Sequence, residues 1–124
     1  MRLGFPNYPR ADALEQIEWI AANGFDFVDL FLEPDRAAIG AFSPAQIRGA
    51  LDRLGLGATG HLAWYLPIGS PMEQLRGAAV EIAKEYLGAF ADAGVPAILT
   101  GQRLCPAGKA QDRGAVAVAE RNRQ

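Results

Sequence analysis

The residues best suited to chemistry fall at three places along the chain. His61, the single histidine, sits in Gly60-His61-Leu62-Ala63-Trp64-Tyr65. An imidazole titrates near neutrality, so His61 can ligate a metal or act as a general acid or base. The other reading is an interior histidine hydrogen-bonded to a polar neighbour. Glu33 closes Phe27-Val28-Asp29-Leu30-Phe31-Leu32-Glu33. A carboxylate at a strand end can bind a ligand hydroxyl or hold the second proton of a histidine; as a plain loop carboxylate it would be solvated. Asp29 lies two residues deeper and is costly to bury alone, so it needs a partner, which Thr59 or His61 can supply. Trp64 and Tyr65 offer flat apolar faces with polar tips, for a ligand or for packing. Asn7 and Tyr8 stand at the end of the first apolar run and complete the binding candidates. Cys105 has no base near it in sequence, so an inert thiol is expected rather than a nucleophile.

The elements that must position these residues follow from the spacing. Leu3-Gly4-Phe5 predicts a first strand, ended by Pro6 and Pro9. Asp12, three residues before Glu15, predicts a capping box, with Leu14, Ile17, Ile20 and Ala21 on one helical face and a stop at Asn23-Gly24. Phe25–Glu33 predicts a second strand. Its alternation puts Val28, Leu30 and Leu32 on one face and Phe27, Asp29, Phe31 and Glu33 on the other. Ser43-Pro44-Ala45-Gln46 predicts a helix start, followed by Ile47, Ala50, Leu51 and Leu54 and ended by Gly55. Leu56–Ala63 predicts a third strand with Thr59, His61 and Ala63 sharing a face. Ser70-Pro71-Met72-Glu73 predicts a third helix, with an apolar face of Leu75, Ala79, Ile82, Ala83, Tyr86 and Phe90. Val95–Leu99 predicts a fourth strand, with Pro96 at its entry.

The result is an α/β chain of parallel (β/α) units, β-α-β-α-β-α-β, joined by right-handed crossovers. In such folds ligands bind beyond the carboxyl ends of the strands, where His61, Glu33, Trp64, Tyr65, Asn7 and Tyr8 all fall. Residues 1–100 form this domain. Residues 101–124 are rich in Gly, Gln, Arg and Ala, and Ala115-Val116-Ala117-Val118-Ala119 is their only apolar run. An irregular or weakly helical tail is expected there.

The chain has 124 residues and a formal net charge of -2, and it carries no basic block. Nucleic acid is therefore not an expected partner. A single cysteine excludes an internal disulfide framework and suits a reducing compartment. No run has the length of a signal peptide or membrane span, so the expected location is the cytoplasm.

Taken together, Arg2-Leu3-Gly4-Phe5, Phe25-Asp26-Phe27-Val28-Asp29-Leu30 with Glu33, Gly60-His61 followed by aromatics, and Glu81-Ile82-Ala83 through Gly94 resemble the xylose-isomerase-like TIM-barrel family. That family comprises sugar isomerases, epimerases and endonuclease-IV-like enzymes. The resemblance covers roughly the first hundred residues. It implies the first half of a TIM barrel, about four strands and three helices. It also implies metal-assisted proton transfer on a sugar or sugar phosphate. Manganese, magnesium or zinc would be the cofactor and His61 a possible ligand. His61 and Glu33 would be catalytic, and Trp64, Tyr65, Asn7 and Tyr8 would bind substrate. The family carries its metal mainly on later strands, and the histidine it often has at the end of strand four is here replaced by Leu99-Thr100-Gly101-Gln102. A truncated or frame-shifted half-barrel is the expectation from that departure. A different class of function follows as the alternative: a non-catalytic half-barrel that associates with a second copy through its open sheet.

Overall fold

The structure is a computed structural model, and it describes residues 1–100. The expectations for residues 101–124, Cys105 among them, lie outside the described residues.

The elements alternate as the sequence predicts: β1 (Gly4–Pro6), α1 (Ala13–Ala22), β2 (Phe27–Phe31), α2 (Pro44–Leu54), β3 (Gly57–Leu62), α3 (Glu73–Asp92) and β4 (Ile98–Thr100). The strands form one sheet in chain order, β1-β2-β3-β4, and every pairing is parallel. The register places Phe31 opposite His61 and Asp29 opposite Thr59. This is half of a closed barrel's sequence of strands, with helices on one face.

The core lies between that face and the helices. Val28, Leu30 and Leu32 on β2 and just beyond it are fully buried against Ile17 and Ile20 of α1 and Ile47 of α2. Each such side chain contributes about 1.5–3 kcal/mol on burial. Ser43 caps α2 as predicted. Its hydroxyl accepts from the Gln46 amide, and the Gln46 side chain accepts from the Ser43 amide. Asp12 caps α1 by accepting from the amides of Leu14 and Glu15. Gly55 ends α2 with φ 62°, a left-handed turn that a side chain would strain. Gly60 has a different reason. A methyl group there would lie 3.0 Å from the ring of Phe90, so the missing side chain lets α3 seat that ring flat on β3.

Several boundaries differ from expectation. β2 and β3 are shorter than their apolar runs, β1 is shifted to Gly4–Pro6 and so includes the Pro6 expected to end it, and β4 starts three residues into its run and reaches Thr100. α3 begins at Glu73 with Met72 as N-cap and no side-chain cap bond. The Ser70 hydroxyl instead accepts from the Met72 amide two residues on, closing a turn before the helix starts. The predicted apolar face of α3 is too wide. Ala79, Ala83, Tyr86 and Phe90 are buried, whereas Leu75 and Ile82, on the flank of that stripe, are exposed. Among the described residues no helix is long and apolar enough to cross a membrane.

Candidate functional site

The site is built where β2 and β3 end side by side. Alternation turns Asp29 and Phe31 away from the helices, and parallel pairing brings Thr59 and His61 beside them. The Thr59 hydroxyl donates to Asp29 Oδ1 at 3.0 Å. His61 Nδ1 lies 3.2 Å from Asp29 Oδ2. Both partners foreseen for Asp29 are therefore used, one on each carboxylate oxygen. The His61 ring stacks on Phe31, with centroids 4.2 Å apart and an interplanar angle of 17°. The imidazole is thus fixed at its edge by a carboxylate and on its face by a phenyl ring. His61 and Asp29 side chains each keep 24% exposure, so solvent and ligands reach them. A carboxylate only accepts, so a neutral ring that bonds it through Nδ1–H carries its lone pair on Nε2.

Glu33 departs from both sequence readings. It is 7% exposed, which is not a solvated loop carboxylate. Nor does it hold the histidine, since Asp29 does. Past Phe31 the strand ladder ends, and Glu33 Oε1 is buried with no hydrogen-bond partner among the described residues. A desolvated acceptor left unpaired costs about 1–3 kcal/mol. Burial, then the charge and hydrogen bond of Glu33, push the Tyr65 phenol above its ordinary value. Burial, then Glu33 and Glu85, do the same to Tyr86 on α3. Tyr86 lies in the core, as its place on the apolar face of α3 predicts, and the charge of Glu33 reaches it there.

Trp64 and Tyr65 are about half exposed and meet edge to face at 5.7 Å, so they pack on each other in the loop and each keeps part of its surface in solvent. Tyr8 is also exposed. Asn7 is buried, and its amide spans the strand gap. Nδ2 donates to the Phe31 carbonyl at 3.0 Å, and Oδ1 accepts from the Phe31 amide at 2.6 Å. The expectation of ligand contact at Asn7 meets a side chain already spent on positioning Phe31, and through it His61. Its signal in the sequence was an asparagine one residue past a strand that proline ends.

The divalent metal implied by resemblance does not fit the described residues. Among them no three His, Cys, Asp or Glu side chains come together, and the Asp29 oxygens are engaged by Thr59 and His61.

No protein-family model matches the chain, and no curated protein matches it in sequence. Solved structures do match in shape. The apo form of 3-keto-D-glucoside 4-epimerase YcjR from E. coli aligns with a TM-score of 0.65 at 21% identity, over 82% of this chain and 38% of the epimerase. D-psicose 3-epimerase from Clostridium cellulolyticum H10, solved with D-tagatose, aligns with a TM-score of 0.63 at 20% identity, over 82% of this chain and 37% of that one. A xylose isomerase-like TIM barrel/4-hydroxyphenylpyruvate dioxygenase fusion protein gives 0.59 at 23% identity, over 77% and 15%. The chain therefore spans well under half the length of each structure it resembles. Its described residues have the fold of the first half of a xylose-isomerase-like TIM barrel.

Proposed function

We propose that the chain supplies the first part of a sugar isomerase/epimerase-type site, in which His61 handles a proton of a carbohydrate. The observation that carries this is the imidazole held by Asp29 and still 24% exposed, at the carboxyl ends of the strands. Nε2 accepts a proton from the carbon beside a sugar carbonyl and returns it to a neighbouring carbon. Asp29 steadies the imidazolium that forms, and Thr59 fixes Asp29. Trp64 and Tyr65 offer aromatic faces to the sugar's C–H surface, and Tyr8 lies at the neighbouring strand end. Glu33 binds rather than transfers a proton in this reading. Any divalent metal would need ligands from outside residues 1–100, so no step is routed through one.

Calorimetric titration with D-tagatose tests the reading. His61→Ala and Asp29→Asn should each weaken binding by about tenfold, the size of one charge-assisted hydrogen bond. Equal affinities in all three proteins contradict it.

A second reading is favoured by one observation. Phe5 on β1 and Trp19 on α1 are exposed while packed on each other at 5.6 Å, beside a strand paired on one side only among the described residues. In that reading the half-barrel associates with a second copy, without catalysis.

A further inference from the structure

Asn7 has a place in the sheet that a ligand-binding residue would not need. β1 ends at Pro6, opposite Asp29, so no residue of β1 stands opposite Phe31. The N–H and C=O that Phe31 turns toward β1 therefore meet a gap, and a backbone group shielded from water and left unpaired is costly. Asn7 fills the gap. Its main-chain N–H donates to the Asp29 carbonyl at 3.3 Å. Its Nδ2 donates to the Phe31 carbonyl at 3.0 Å, and its Oδ1 accepts from the Phe31 amide at 2.6 Å. A carboxamide offers a donor and an acceptor side by side, as a peptide unit does, so it continues the ladder after the backbone of β1 has left it. The side chain is buried, at 3% exposure. The two β2 residues that Asn7 holds are the two that fix the imidazole. Asp29 meets its Nδ1 edge at 3.2 Å, and Phe31 stacks on its face with centroids 4.2 Å apart.

We propose that Asn7 is the positioning residue of the His61 site, orienting the imidazole by locking Asp29 and Phe31 at the end of β2 without touching the ligand. The inference rests on the proton-transfer reading of His61 and names what holds that group in place. The face of Phe31 sets the plane of the ring, and the carboxylate of Asp29 sets its rotation within that plane. Both constraints are only as firm as the backbone that carries them. Phe31 is the last residue of β2, so on the β1 side the asparagine supplies the final bonds of the strand. Alanine at position 7 removes both side-chain bonds. Aspartate keeps the shape but turns a second acceptor toward the Phe31 carbonyl.

The experiment follows the single histidine by NMR in the full chain, with circular dichroism confirming the fold and calorimetry giving the affinity for D-tagatose. In the wild type the stacked Phe31 ring should shift the His61 ring protons upfield. In Asn7→Ala and Asn7→Asp those signals should move toward their positions in Phe31→Leu, and affinity for D-tagatose should fall several-fold. Ile47→Val, a change in the core on α2, should leave the ring signals in place. Wild-type ring signals in a folded position-7 variant overturn the inference. So does the same displacement in Ile47→Val, which would make the effect a general loosening. If neither position-7 variant folds, amide exchange in the wild type decides. A Phe31 N–H that exchanges as slowly as the amides inside β2 supports the lock, and fast exchange overturns it. Displaced ring signals with no D-tagatose binding by any of the proteins keep the positioning role and remove the sugar reading.

Discussion

At the scale of residues, a single carboxylate explains the site better than the histidine does. Asp29 takes Thr59 on one oxygen and His61 on the other, and this chain was legible because strand alternation puts all three on one face. Glu33 was not legible in the same way. Alternation extends only as far as the ladder, and two residues past it the carboxylate is buried, where its charge acts on Tyr65 and Tyr86. No local pattern announces that burial. The two phenols give this cluster a pH signature. Tyr86 holds its proton above the ordinary 10.0, chiefly through burial and then through Glu33, and Tyr65 shifts in the same direction. Below that value both the folded and unfolded chains carry neutral phenols, so their contribution is fully present. As pH rises past it the unfolded chain ionises first and stability falls, until the folded phenols ionise as well. Urea melts across this range should show the decline in the wild type and a shallower one in Tyr86→Phe. Identical slopes would mean that the cluster does not hold the proton.

At the scale of elements, caps and stops were readable because they are local chemistry. Ser43 with Gln46 and Gly55 behaved as their sequences required, and Asp12 caps α1 through its own side chain without the returning Glu15 bond of the expected box. Ser70 did not, because its hydroxyl closes a turn on Met72, an equally local competitor with the same sequence signature. The width of the α3 face was misread for a different reason. Leu75 and Ile82 satisfy helical periodicity, but burial depends on what stands opposite, and the sheet reaches only the stripe of Ala79, Ala83, Tyr86 and Phe90. Gly60 ties α3 to the site, since it precedes His61 and receives the Phe90 ring. Gly60→Ala should destabilise the domain by about 1–3 kcal/mol, as overpacking does. It should also loosen sugar binding, because the displaced ring lifts α3 from β3. Denaturant midpoints for the two proteins check this, and an unchanged midpoint would show that the ring gives way freely.

At the scale of the whole molecule, sequential parallel strands make an architecture whose closure needs more strands than the four described. Pattern carried the order of parallel units, since each has its own caps and periodicity, whereas the incomplete barrel came from the family resemblance; the shape comparisons agree with the fold. Which surface meets another was not legible, because exposure of Phe5 and Trp19 depends on neighbours that periodicity does not specify. If the second reading holds, light scattering should give a dimer mass for the wild type and a monomer for Trp19→Lys, with helix content unchanged. A monomer in both leaves the open edge without a second copy.

The account depends most on His61 presenting Nε2 to a ligand while Asp29 holds Nδ1. Because the chain has one histidine, a long-range proton–nitrogen NMR spectrum of the imidazole reads that state without ambiguity. The neutral ring should carry its proton on Nδ1, lose that preference in Asp29→Asn, and show the Nε2 signal move when D-tagatose is added. A ring protonated on Nε2, or an Nε2 signal indifferent to the sugar, would contradict the account.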